Sequence, residues 1–198
     1  LARAIAKNIL GDETKIKLEP VTAKTRGPLL DNGQLDLVIA TFTIKPERLE
    51  QWNFSTSYYT DQVGLLVKKS SGIKGLADLD GKTIGVAQGA TTKDAIEQEI
   101  KDKGLNIKPK FSEFATYPEI NAALESGRVD AFSVDKSILL GYVNAEKEIL
   151  SEGFAPQEYG IAAKKGNDDL TKTVDDVLAQ LKSSGEMDKL LQKWNLAK

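Results

Sequence analysis

The sequence predicts an α/β protein of two lobes, and three observations carry that expectation. The first is an internal repeat. Leu30-Asp31-Asn32-Gly33-Gln34-Leu35-Asp36-Leu37 returns 94 positions later as Leu124-Glu125-Ser126-Gly127-Arg128-Val129-Asp130-Ala131. The second is the alternation of helical and strand-like segments with short connections, which implies parallel or mixed sheets covered by helices. The third is the order of those segments. The chain would build a first lobe from residues 1–58 and 160–198 and a second from 63–154. It would cross between them at 59–62 and 155–159, through Pro156-Gln157-Glu158-Tyr159 on the return. Two crossings at one waist define a two-stranded hinge, and closing a hinge around a ligand is a common use of such a layout.

Each copy of the repeat reads the same way. A helix ends on a leucine and an acidic residue, and Gly33 or Gly127 takes the left-handed position that stops it. An aspartate then leads into a short apolar run, 37–40 or 131–134, expected as a buried parallel strand. Loops at the carboxyl ends of such strands are where α/β sheets bind ligands. Here they are Thr41-Phe42-Thr43 and Asp135-Lys136-Ser137, expected to face each other across a cleft. The alternative is coincidence, because αβ junctions often contain glycine and aspartate.

The remaining elements follow in order. Leu1, Ile5 and Ile9 share a helical face that Gly11 ends, and residues 15–21 alternate like a strand. The first repeat helix covers 25–32. Pro46 suits the first turn of a short helix over 47–52. An apolar strand covers 62–68, Ser70-Ser71-Gly72 is a linker, and one helical turn at 75–81 leads into a strand at 83–87. A helix over 92–103 buries Ile96 and Ile100, and a strand covers 111–114. Thr116 caps the second repeat helix, a further helix spans 136–143, and a strand at 159–163 precedes closing helices at 168–183 and 186–194.

Composition narrows the chemistry. A net charge of -2 leaves no basic excess to displace counterions from phosphates, which excludes nucleic acid as the expected partner. No apolar run approaches the ~20 residues needed to span a bilayer. Histidine and cysteine are both absent, which removes Ser-His-Asp and Cys-His catalysis and imidazole- or thiolate-bound metal. No catalytic residue, metal or cofactor is expected. The lack of cysteine suits an extracytoplasmic compartment, and this sequence carries no signal peptide.

Three sets of residues suit one kind of ligand. Thr41 offers backbone groups, Thr43 a hydroxyl, and Arg48 a planar fork that donates two parallel hydrogen bonds to a carboxylate. The alternative for Arg48 is a solvated arginine or one paired with Glu47 or Glu50. Gly89-Ala90-Thr91-Thr92 opens a helix, whose first amides attract anions, although a plain capped helix start reads the same way. Asp135 suits an ammonium, or else it caps the helix that follows. Jointly, Arg48 with the Thr91 and Thr92 amides would hold an α-carboxylate. Asp135, Thr43 and the Thr41 carbonyl would hold an α-ammonium.

At this point the chain resembles a known family. Residues 37–48, then Asn53-Phe54-Ser55 and Tyr58-Tyr59, resemble the signature of the polar amino-acid solute-binding proteins of ABC transporters. Asp78-Leu79-Asp80-Gly81-Lys82 and Gln157-Glu158-Tyr159-Gly160-Ile161 match later landmarks, so the resemblance runs end to end. Residues 23–33 and 132–142 are similar to the aspartate/glutamate-binding transport proteins and adhesins of campylobacters. The resemblance implies a periplasmic-binding-protein type II fold, an α-carboxylate on Arg48 and an amino group on Asp135. It implies a monomer that delivers an amino acid to ABC permease membrane subunits, in the periplasm or at the cell surface. Many relatives that bind glutamine or cations carry an aromatic near the position of Ala23. Its loss, with Arg26 nearby, favours an acidic substrate, aspartate or glutamate; otherwise Arg26 faces solvent. Phe42, between the two threonines, joins the candidate ligand-binding set. Family members begin with a strand and loop, whereas this sequence starts at the following helix, so that strand of the first lobe is expected to be missing. The rival readings are a dehydratase of the same fold acting on a cyclohexadienyl substrate, and an adhesin or receptor sensor domain.

Overall fold

Burying the apolar faces of these segments produces two α/β units in the computed structural model, which describes residues 1–197. One unit comprises Leu1–Pro20, Arg26–Tyr59 and the chain from Glu158 onward; the other comprises Val21–Thr25 and Thr60–Gln157. In chain order the elements begin α1 (Ala2–Leu10), α2 (Arg26–Asp31), β1 (Leu37–Val38), α3 (Pro46–Leu49), β2 (Trp52–Phe54) and β3 (Tyr59–Lys68). Then come β4 (Thr83–Ala87), α4 (Thr92–Asp102), β5 (Lys110–Phe114), α5 (Tyr117–Glu125), β6 (Ala131–Asp135) and α6 (Lys136–Leu139). The chain continues with β7 (Lys147–Ile149), β8 (Phe154–Tyr159), β9 (Ala162–Lys164), α7 (Asp168–Ser183) and α8 (Glu186–Lys193).

The first unit is built on a sheet in the order β1-β9-β2. Both pairs are antiparallel, with Ala162 opposite Val38 on one side and Phe54 on the other. The parallel strand expected at 37–40 is therefore corrected: β1 is shorter, and its partner runs back against it from a distant part of the chain. A core of Ile5, Ile161, Val174, Val177, Leu178, Leu181 and Met187 joins α1 to α7 and α8. A second cluster sets Leu30, Val38, Phe42 and Ala162 together, with Trp52 and Phe54 packed against it. Residues 15–21 are not a strand. Their alternation is real, but Leu18 is 75% exposed and no strand among the described residues pairs with them. Nor does the helix after Pro46 reach Trp52. That residue starts β2, its indole Nε1 donates to Asp31 Oδ1 at 2.6 Å, and a Cβ at Gly27 would lie 2.7 Å from its ring.

The second unit has a mixed sheet in the order β5-β4-β6-β3-β7, with β8 as a further partner of β3. β4 is parallel to β5 and β6, whereas β3 is antiparallel to β6 and β7. The two-residue period of β3 serves both faces of the sheet. Val63, Leu65 and Val67 join Ile84, Val86 and Ile96, while Leu66 joins Ile120, Leu124, Phe132 and Leu139. Gly85 lets α5 approach, since a Cβ there would stand 2.6 Å from Ile120 Cγ2. Thr116 caps α5 as expected and forms a reciprocal capping box with Glu119. Both repeat glycines end their helices with positive φ, 78° at Gly33 and 75° at Gly127. The strand expected at 159–163 is split between β8 and β9, because Gly160 and Ile161 break the pairing. At Gly160 a Cβ would meet Ile44 and Phe54 at 2.9–3.0 Å.

Candidate functional site

In the first unit, Arg26, Thr41, Phe42, Thr43 and Arg48 come together around the loop after β1. Phe42 is the hub. Its side chain is 2% exposed and packs on Trp52 and Phe54, with centroids 5.4 and 5.0 Å away. Arg26 opens α2 and is 5% exposed, so the solvent-facing alternative fails. Its Nη1 donates to the Thr41 carbonyl at 2.8 Å, and its guanidinium carbon stands 4.1 Å from the Phe42 centroid. Arg48 is carried by α3, which Pro46 begins, and is half-buried. Its Nη1 donates to the Thr43 carbonyl at 2.9 Å, and its guanidinium carbon lies 4.7 Å from the same centroid. The neighbouring Glu47 faces Lys45 at 3.9 Å.

These contacts set the electrostatics. Both cations meet the negative face of one aromatic ring, each such contact worth about 0.5–2 kcal/mol depending on desolvation. Both also donate to main-chain carbonyls, which help to aim the two guanidiniums. One expectation changes here: the Thr41 carbonyl, read as an acceptor for a ligand ammonium, already accepts from Arg26. Thr43 is buried and bridges Tyr159 across an isolated antiparallel pair, while the Ile44 amide donates to the Glu158 carbonyl at 2.8 Å. Tyr58 completes the wall with its hydroxyl donating to the Ala40 carbonyl at 2.6 Å. Burial pushes the Tyr58 phenol well above its usual range and the Arg26 charge only partly opposes that, so Tyr58 stays protonated.

In the second unit stand Thr91, Thr92 and Asp135. Thr91 precedes α4 but does not cap it with its side chain. The hydroxyl donates instead to Gln157 Oε1 at 2.7 Å. The plain capped helix start is thereby excluded, and the first amides of α4 are not closed by Thr91. The turn before α4 is tight: Gly89 has φ +75°, and a Cβ there would stand 3.0 Å from the Ala23 carbonyl oxygen. Lys24 Nζ donates to Gln88 Oε1 beside it at 3.1 Å. Asp135 ends β6 and is 5% exposed. It makes no side-chain cap bond to α6, contrary to the capping alternative. The Ser137 amide goes to Asp61 Oδ2, at 2.9 Å.

Sequence reasoning missed Asp61, Gln157 as the Thr91 partner, and Tyr58 as more than a landmark. For Asp61 a weak signal exists, a charge directly before the apolar run of β3. Among the described residues no group of three or more acidic side chains is placed to hold a metal ion. No helix there is long and apolar enough to cross a membrane.

Comparison with known proteins identifies the family and the fold. The family model described as bacterial extracellular solute-binding proteins, family 3, matches residues 1–197. The ABC transporter glutamine-binding protein of Bacillus subtilis is 38% identical over 98% of this chain and 70% of its own length. The glutamate/aspartate import solute-binding protein of Salmonella typhimurium is 32% identical over 98% of this chain, which spans 65% of that relative. Among solved structures, an ancestral arginine-binding protein bound to arginine superposes with a TM-score of 0.85. It is 38% identical over 98% of this chain and 84% of that one. The relatives are named as solute-binding transport proteins, which answers the dehydratase alternative.

Proposed function

The chain belongs to the bacterial extracellular solute-binding proteins of family 3 and has their type II periplasmic-binding-protein fold, and from that premise we propose that it captures an amino acid with an acidic side chain, aspartate or glutamate, for delivery to an ABC permease. The observation that carries the reading is the buried Arg26, set with Arg48 against Phe42. A second buried cation beside the expected carboxylate anchor favours a ligand with two carboxylates. A side-chain carboxylate would offset the desolvation of that guanidinium by direct charge pairing, which a neutral amide does not do. Arg48 is assigned the α-carboxylate, aided by the Thr91 and Thr92 amides. Asp135 and Thr43 are assigned the α-ammonium, and Arg26 the side-chain carboxylate.

Glutamine is the second reading, favoured by the 38% identity to a glutamine-binding relative. Calorimetry of the full-length protein against the twenty amino acids decides. The expected result is tight binding of aspartate or glutamate with glutamine at least tenfold weaker. Tighter glutamine binding overturns the acidic reading, and binding of no amino acid overturns capture altogether.

A further inference from the structure

Consecutive carbonyls in the loop after β1, from Ala40 to Thr43, each accept from a donor of the first unit. The Ala40 carbonyl accepts from the Tyr58 hydroxyl at 2.6 Å and from the Phe42 amide at 2.7 Å. The Thr41 carbonyl accepts from Arg26 at 2.8 Å, and the Thr43 carbonyl from Arg48 at 2.9 Å. Between them, the Phe42 carbonyl accepts from the Gly160 amide at 3.1 Å. Tyr58 is well placed to fix the start of this series. Its amide donates to the Tyr159 carbonyl at 3.0 Å, and its ring packs on the core shared by α1, α7 and α8. The two residues before it are held by α7. Asp175 Oδ1 accepts from the Thr56 amide at 2.7 Å and hydroxyl at 3.0 Å, and Lys182 Nζ donates to the Ser57 carbonyl at 2.7 Å. Burial keeps the phenol protonated, so its hydroxyl stays a donor.

We propose that Tyr58 is a positioning residue for side-chain selectivity, which sets the plane of the Arg26 guanidinium by holding the Ala40 carbonyl; this rests on the assignment of Arg26 to the side-chain carboxylate made above. Peptide groups are rigid planes joined through two soft dihedrals per residue. The Ala40 and Thr41 carbonyls belong to adjacent planes, so a turn of the first is passed to the second through Thr41. Arg26 donates to that second carbonyl. A guanidinium is a flat fork whose donors point in fixed directions, and a change in the acceptor's direction therefore swings the whole group. A small swing suffices to spoil a two-point match to a carboxylate, which depends on geometry, and it matters much less to a neutral amide.

Calorimetry on the full chain tests this through the ratio of glutamate to glutamine affinity, measured in the unmodified protein, Tyr58→Phe, Arg26→Ala and the double variant. Tyr58→Phe removes the hydroxyl and keeps the ring in its packing. It should lower the ratio at least threefold where Arg26 is present and leave it within twofold in the Arg26→Ala background. If Arg26→Ala gives no cooperative melt, Arg26→Lys replaces it, since an ammonium keeps the charge and has no plane to set. A residue that only supported the fold would weaken both ligands alike and leave the ratio where it was. A smaller fall in Tyr58→Phe, an equal fall with and without Arg26, or a Tyr58→Phe protein without a cooperative melt each overturns the inference. Those outcomes arise in a protein that prefers acidic ligands. If the unmodified protein prefers glutamine or binds no amino acid, the functional reading itself has failed and the role of Tyr58 falls with it.

Discussion

The guanidinium carbon of Arg26 lies 4.1 Å from the centroid of the Phe42 ring. Arg26 starts a helix and Phe42 follows a strand, and the Thr41 carbonyl ties the two together by accepting from Arg26 at 2.8 Å. The ring face and the carbonyl together fix the orientation of this buried cation. Ligand selectivity in this protein is expected to depend on that arrangement.

Arg26→Ala should weaken aspartate and glutamate strongly and asparagine and glutamine much less. The preference for acidic over amide ligands should fall by at least ~1.4 kcal/mol, one decade in the affinity ratio. Competition calorimetry with the four ligands reads this directly. Equal weakening of all four would make Arg26 a support of the first unit and not a reader of the side chain.

Arg48→Ala should weaken every amino acid that binds, because all share the α-carboxylate. Removing one side of a desolvated charge pair costs about 2–5 kcal/mol. Submicromolar affinity retained in the purified, cooperatively melting variant would eliminate Arg48 as the anchor.

Asp135→Ala should cost aspartate much more than succinate, which lacks the ammonium. Since Asp135 does not cap α6, the variant should keep its helix content by circular dichroism. Parallel losses for the two ligands would argue against an ammonium contact.

Phe42→Leu should keep most of the apolar fill and lose the ring face that both guanidiniums use. A measurable drop in affinity for acidic ligands is expected, with little loss of stability. Phe42→Ala should in addition destabilise the fold by about 3–5 kcal/mol, as emptying a core aromatic site does. Denaturant unfolding of the two variants separates the contributions.

Acid should loosen the second unit through two carboxylates. Burial pushes the Glu152 carboxyl up, but the Lys103 ammonium and the Leu76 amide outweigh it, and the net pKa lies below the ordinary 4.5. The Glu125 carboxyl is lowered by hydrogen bonds from Lys147 and Asn121. A folded-state pKa below the unfolded one stabilises above the ordinary carboxylate value and loses that contribution as pH falls through the lowered value. Melting temperatures should therefore drop on acidification through and below 4.5, and Glu152→Gln should drop less steeply. Identical slopes would remove Glu152 from the account.

Local order was legible in the sequence wherever the cause is local. The two copies of the repeat announce Gly33 and Gly127 as helix ends because a residue with positive φ is cheapest as glycine. Thr116 and Glu119 announce a capping box because its partners are three residues apart. The periodic faces of α4, α7 and α8 are visible for the same reason, and so were Arg48, Asp135 and Arg26 as residues of interest. What the sequence left open depends on partners far along the chain. β1 is antiparallel because β9 is its neighbour, and 15–21 stays unpaired because no strand lies beside it. β7 escaped notice because Lys147, a buried lysine bonded to Glu125 at 2.6 Å, does not look like a strand residue in isolation. Only folding brings Arg26 and Arg48 onto Phe42, and only the register of β3 on β6 gives the cap of α6 to Asp61. Caps and periodicity are settled within a few residues, whereas strand order, register and the sharing of one ring by two cations are settled by which distant surfaces bury each other.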